Sequence, residues 1–254
     1  MSSLSGSCPP EEGRYSRQLI LPEVGPAGQE KLRRGKVLVV GAGGLGSPAL
    51  QYLAAAGVGS IGIVDSDFIE LSNLNRQTLY STEDIGKLKA QVAAHRIKAL
   101  NPDCDVLAFS TRLTVDNAAR IIGDYSIVID GSDNIPTRYI LNKACVDQKK
   151  TLIYGAVYQF EGQLMTITPG EGACFQCLFP EEPPPGEVPA CRENGVLGVL
   201  PGLVGTWQAA EAVKLLLGIG ETAGGELLVM APLERSWRKV KVPRNKKCPA
   251  CGAR

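Results

Sequence analysis

Residues 36–50 read KVLVVGAGGLGSPAL, and the six in the middle, GAGGLG at 41–46, decide the fold. An apolar run enters them and a helical pattern leaves them. Gly41, Gly43 and Gly46 match the G-x-G-x-x-G turn, in which glycines let the backbone approach a phosphate at a helix N-terminus. Asp65 closes the next apolar run, SIGIVD at 60–65, where an acid binds ribose hydroxyls. The loop fits any nucleotide carrying a ribose and phosphates.

Outward from this turn, apolar runs and helical patterns alternate. CDVLAF (104–109) and SIVIDGSDN (126–134) read as strands; residues 45–57, 85–101, 115–123 and 135–148 read as helices. Strands that are apolar on both faces predict a parallel sheet covered by helices on both sides. Ligands bind at the carboxyl ends of such strands. Here those ends carry the glycine loop, Asp65 and the pair Asp130/Asp133. After residue 150 the pattern changes to antiparallel strands over 151–170, a long helix over 200–218 and a hairpin over 226–242. The expectation is therefore an α/β protein with a Rossmann-like, mainly parallel sheet extended by antiparallel strands. Residues 1–13 are read as a flexible segment and 14–254 as one domain. Its nucleotide half is about 14–150 and its second half about 151–254.

The chain has 254 residues, 44% hydrophobic and 21% charged, with a net charge of +1. That balance gives no support for nucleic-acid or anionic-membrane binding. No run of 18 apolar residues suggests a membrane span. The first residues lack the basic and apolar regions of a signal peptide. A cytoplasmic location is expected.

Four of the eight cysteines form two C-x-x-C pairs, Cys174/Cys177 and Cys248/Cys251. Two such knuckles make a tetrahedral four-thiolate zinc site, closed and structural because no further ligand lies near. The plainer alternative is two unrelated reduced thiol pairs. Cys191 follows a proline-rich loop and precedes Arg192, a cation that would favour its thiolate. Cys104 and Cys145 read as core residues, and Cys8 as a loose thiol.

Beyond Asp65 the segment DSDFIELSNLNRQTLYSTEDIGKLKA places Asn73, Asn75, Arg76 and Gln77 in a loop and Lys89 near a helix start. Two cations and several amides beside a phosphate loop suit a triphosphate better than a nicotinamide. Asp133 could hold magnesium on phosphate oxygens. The bland alternative makes Arg76 and Lys89 a solvated surface and Asp133 a helix cap. The single histidine, His95, reads as a partly exposed structural residue.

GAGGLG, D-x-D, NLNRQ, G-K-x-K and DGSDN together resemble the adenylating domain of the HesA/MoeB/ThiF family, relatives of the ubiquitin-activating enzyme. RYSRQLILPEVG, the two cysteine knuckles and ACRENGVLGVLPGLVGTWQAAEAVK extend the resemblance from about Arg14 to Cys251. It implies ATP-dependent adenylation of the C-terminal Gly-Gly carboxylate of a small ubiquitin-like sulfur carrier. It places ATP and Mg2+ against Gly41, Gly43, Gly44, Gly46, Asp65, Asp67, Ser72, Asn73, Asn75, Arg76, Gln77, Lys89, Asp133 and Asn134. Arg17 in RYSRQ would reach the partner's ATP across a homodimer. In some such proteins a cysteine placed like Cys191 joins the activated carrier covalently; in others it is a bystander. The chain stops three residues after Cys251 without a rhodanese segment. The sulfur donor is therefore expected to be separate, a cysteine desulfurase or a rhodanese. Two other readings remain: an NAD-binding oxidoreductase with structural zinc, and an inactive scaffold for a ubiquitin-like protein. The pathway, whether molybdopterin, thiamine or tRNA thiolation, is not chosen by these residues.

Overall fold

The computed structural model of the chain describes residues 13–184 and 195–252. Cys8, Cys191 and Arg192 lie outside the described residues. One eight-stranded sheet runs through the molecule in the order β3-β2-β1-β4-β5-β6-β7-β8. Its strands are β1 (Lys36–Val40), β2 (Ser60–Val64), β3 (Asp105–Phe109), β4 (Ile127–Asp130), β5 (Thr151–Tyr158), β6 (Glu161–Ile167), β7 (Glu226–Ala231) and β8 (Ser236–Lys241). β1 to β5 are mutually parallel, and β6, β7 and β8 add antiparallel strands beyond β5. Hence the sheet continues from the nucleotide-like half into the second half without a break.

Alternation along β1 shows why both faces are apolar. Val37 and Val39 enter one core with Leu32, Leu50, Leu53 and Ile97. Leu38 and Val40 enter the other with Ile121, Leu141, Leu152 and Phe175. Burying each such side chain stabilises the fold by about 1.5–3 kcal/mol. On the first face lie α2 (Gly25–Arg34), α3 (Gly46–Ala56), α4 (Lys89–Leu100) and α8 (Val199–Leu217); on the second lie α5 (Val115–Ile122), α6 (Ile135–Asp147) and the single-turn α7 (Phe175–Leu178). No helix among the described residues is long and apolar enough to cross a membrane.

Two local differences from the sequence pattern have clear causes. The helix expected over 85–101 begins only at Lys89. Gly86 is left-handed at φ 84, and Leu88 is extended and bridges Phe68, so the four preceding residues form a turn instead. The pattern assigns nothing to residues 14–35, yet α1 (Ser16–Leu19) and α2 form there. α2 has few buried positions, Gly28 and Leu32, so its apolar stripe is too thin to read from periodicity.

Candidate functional site

The strand order reverses between β1 and β4, because the chain runs outward through β2 and β3 before returning to β4. The two strand ends at that point form a crevice. Gly41 follows β1 with φ 92, and a Cβ there would stand 2.5 Å from the carbonyl oxygen of Gly131, which follows β4. A Cβ on Gly46 would overlap the Gly41 carbonyl. Glycine is thus required twice for the turn to close.

Within this turn the backbone N–H groups of Gly43, Gly44 and Leu45 meet no acceptor among the described residues. Three consecutive free donors at the start of α3 make an anion-binding concavity. The Ala42 carbonyl, by contrast, is held by the Tyr80 hydroxyl at 2.7 Å and the Ser47 hydroxyl at 3.3 Å. Burial pushes the Tyr80 hydroxyl pKa well up, so it is a donor at any ordinary pH.

Asp65 organises one wall. Its Oδ2 accepts from Ala42 N at 2.7 Å and its Oδ1 from Asp67 N at 2.8 Å. Burial raises its pKa, opposed first by the charge of Lys89 and then by those backbone bonds. Lys89 is itself buried and pairs with Asp67 at 3.1 Å. The glycine loop, Asp65, Asp67 and Lys89 are therefore one connected cluster. Lys89 is no solvated surface charge.

The 3-10 turn Leu71–Asn73 adds the other wall. Asn73 is buried and closes that turn by accepting from Glu70 N at 3.4 Å. Arg76 folds back on Ser72 O and Asn75 Oδ1, both at 2.9 Å. Gln77 is buried with its Oε1 unpartnered, and its Nε2 lies 3.4 Å from where a Gly43 Cβ would sit. Arg76 and Gln77 thus flank the free N–H groups.

At the end of β4, Asp130 is buried. Its Oδ1 accepts from Ser132 N at 3.0 Å and from Ser132 Oγ at 2.6 Å, while its Oδ2 has no partner. Gln208 on α8 donates to Asp130 O at 2.7 Å and to Ile153 O at 3.0 Å, fixing the strand end from below. Asp133 is exposed at the mouth of the crevice. The cap of α6 is Asn134, whose Oδ1 accepts from Thr137 N and Thr137 Oγ1. Asp133 thus has no capping duty, and Asn134 is already engaged.

Arg17 stands elsewhere. Its neighbour Gln18 donates to Ala56 O at 3.0 Å, at the far end of α3 from the glycine loop. Eleven residues of helix put about 15 Å between those ends. Arg17 is exposed there, with Ile20 and Leu21 exposed beside it. His95 is also exposed, on α4, in a groove lined by Phe68, Leu88 and Arg96.

The four knuckle cysteines converge on the second face. All four Sγ atoms lie within 4.8 Å of one another, with Cys174–Cys248 at 3.6 Å and Cys177–Cys251 at 3.4 Å. Four thiolates about 2.3 Å from one tetrahedral ion stand about 3.8 Å apart, so the donor set fits zinc. Cys104 and Cys145 are core residues as expected, their thiols pushed up to about 11 and about 12 by burial.

Tyr80, Ser132, Asn142 and Gln208 are absent from the sequence reading. Tyr80, Asn142 and Gln208 each act through a contact with a distant element; Ser132 bonds Asp130 two residues before it, within DGSDN.

Comparison with known proteins agrees with this geometry. The ThiF family model matches residues 15–250. A sulfur carrier protein adenylyltransferase of Thermus thermophilus is 56% identical over 247 residues, covering 95% of this chain and 91% of that protein. A SAMP-activating enzyme E1 of Haloferax volcanii is 49% identical, covering 94% and 88%. The adenylyltransferase and sulfurtransferase MOCS3 of Culex quinquefasciatus is 48% identical, and the match spans 55% of its length. Among solved structures, Escherichia coli MccB with ATP superposes at a TM-score of 0.84 with 22% identity, covering 95% of this chain and 75% of that one, a likeness of fold. The chain belongs to the ThiF family.

Proposed function

We propose that this protein adenylates the C-terminal Gly-Gly carboxylate of a small ubiquitin-like sulfur carrier. The observation that carries the reading is the row of free N–H donors at Gly43, Gly44 and Leu45, flanked by Arg76 and Gln77 and set beside Lys89. A carboxylate oxygen of the carrier attacks the α-phosphorus of ATP. The bond from that phosphorus to the bridging oxygen breaks, and pyrophosphate leaves with the electron pair. The nucleophile is already ionised at neutral pH, so no general base is needed. An exposed His95 on α4 fits that requirement. Catalysis then consists of positioning and charge neutralisation.

In this reading the loop N–H groups and Asn73 hold phosphates, and Asp65 the ribose. Lys89 and Arg76 neutralise the transferring phosphate, Arg76 after leaving Ser72 O and Asn75 Oδ1. Asp133 would hold Mg2+, which when bound spreads the negative charge of the phosphates. The four cysteines would hold a structural Zn2+ that ties the end of the chain to the segment after β6. Residues 14–150 serve the nucleotide and 151–254 the carrier and the zinc, within one domain. Arg17, remote from its own loop and flanked by exposed Ile20 and Leu21, serves the partner's ATP in a homodimer. A separate donor supplies sulfur, and the reaction takes place in the cytoplasm. Cys191 is assigned no step.

ATP–pyrophosphate exchange with each Gly-Gly-ending small protein of the source organism tests the reading. Exchange that requires one carrier's intact C-terminus supports it and names the pathway. ATP binding without exchange leaves a scaffold, and stabilisation by NAD in place of MgATP leaves an oxidoreductase.

A further inference from the structure

Arg138 lies in the first turn of α6, five residues after Asp133. A cation there opposes the positive end of the helix dipole, so its presence calls for another reason. No described carboxylate oxygen forms an ion pair with it, although its charge reaches the buried Asp130. Its Nε is buried without an acceptor. Its remaining bonds are at the long limit: Nη2 to Ser132 O at 3.4 Å and Nη1 to Tyr154 Oη at 3.5 Å. The guanidinium rests over the Tyr154 ring, 5.3 Å from its centroid. Tyr154 Oη in turn reaches Gln163 Oε1 at 3.2 Å. Ser132, Arg138, Tyr154 and Gln163 thus form a polar row that leads from beside Asp133 across β5 to β6.

This cation comes from a different element than the phosphate donors. The loop donors and Lys89 open α3 and α4 on the first face, whereas Arg138 comes from α6 on the second. A Gly-Gly tail has no side chains to be recognised, so an enzyme can hold it only by its backbone. Its carbonyls need donors, and a guanidinium supplies five in a planar fork. Binding the terminal carboxylate itself would draw charge from the nucleophile. Gripping a carbonyl behind it aims that carboxylate without weakening it.

We infer that Arg138 is a positioning and specificity residue that donates from its Nη groups to backbone carbonyls of the carrier's Gly-Gly tail, along the row leading to Gln163. The inference rests on the adenylation reading and deepens it. The test is a double-mutant cycle. The partners are the small Gly-Gly-ending protein that supports exchange with the wild type, and the same protein lacking those two residues. Binding of each is measured to wild type, Arg138→Gln and Arg138→Lys, with α,β-methylene ATP and magnesium present. Both variants are expected to weaken the intact carrier by about tenfold or more and to leave the truncated one unchanged. Stabilisation by MgATP is expected to stay as in wild type, reporting an intact nucleotide site. Equal losses for both carriers, or no loss for either, overturn the assignment. If Arg138→Gln does not fold, Arg138→Lys decides alone, since it keeps the charge and removes only the fork. Absence of carrier-dependent exchange in the wild type defeats the adenylation reading itself, and this inference with it.

Discussion

Asn142 holds Cys174 directly and through its neighbour: Asn142 Nδ2 donates to Cys174 Sγ at 3.6 Å, and Asn142 Oδ1 accepts from Phe175 N at 3.0 Å. Asn142 is fully buried on α6, the helix that opens just after Asp133. One side chain therefore ties the cysteine cluster to the helix that starts at the nucleotide crevice. Outer partners of this kind orient a metal ligand, and losing one typically costs 10–100-fold in affinity. Asn142→Leu is expected to purify with less zinc than wild type and to lose it to chelator at lower concentration. Elemental analysis of the wild type is expected to give one zinc per chain. A wild type that holds no zinc after refolding with it removes the metal assignment.

The Tyr80 hydroxyl fixes the loop carbonyl next to the free donors. In Tyr80→Phe the Ala42 carbonyl keeps only Ser47 Oγ, at 3.3 Å. A stability loss of about 1 kcal/mol is expected. The KM for ATP should rise several-fold with little change in kcat, because the donors move without being removed. Denaturant titration and steady-state exchange measure the two, and an unchanged KM would show that the loop keeps its shape without Tyr80.

How much of this was legible beforehand depends on the range of each contact. The parallel sheet follows from strands whose alternate residues both meet apolar cores, and that is written in runs such as KVLVV. The loop glycines and the cysteine knuckles are short motifs whose spacing carries their geometry. Gln208 is different. It sits in an apolar helix 78 residues from Asp130, and only the folded sheet brings its amide to the Asp130 carbonyl. Likewise nothing in DGSDN shows that Asn134 caps the helix and leaves Asp133 facing solvent. That choice is made by the backbone entering α6.

Asp130 gives a pH signature. Burial raises its pKa, and Arg138 and the Ser132 hydrogen bonds only partly offset this. A carboxyl raised by folding adds stability that is complete below the unfolded value, near 3.9, and is lost as pH rises through the folded one. Asp130→Asn keeps the Oδ1 acceptor for Ser132 and cannot ionise. Its stability relative to wild type should therefore increase from pH 4.5 to pH 7.5. Titration of the cysteine cluster is common to both proteins and cancels in the difference. A difference that stays constant across that range would mean that Asp130 titrates as an ordinary carboxylate.

Lys89 and Arg76 should separate catalysis from stability. Lys89 is buried against Asp67 and its charge restrains the rise in the Asp65 pKa, so Lys89→Met removes a structural cation as well as the cation proposed to act on the phosphate. Its loss is expected to lower both the unfolding free energy and the exchange rate. Arg76 is half-exposed and bonds only to a backbone carbonyl and to Asn75. Arg76→Ala should change stability by less than about 0.5 kcal/mol. If it swings onto the transferring phosphate, its removal costs about 10²–10³ in kcat, or roughly 2.7–4 kcal/mol of transition-state stabilisation. Exchange kinetics paired with denaturation of the two variants decide the matter. An Arg76→Ala enzyme with full kcat would show that the back-folded side chain never leaves Ser72, and that Lys89 acts on the phosphate without it.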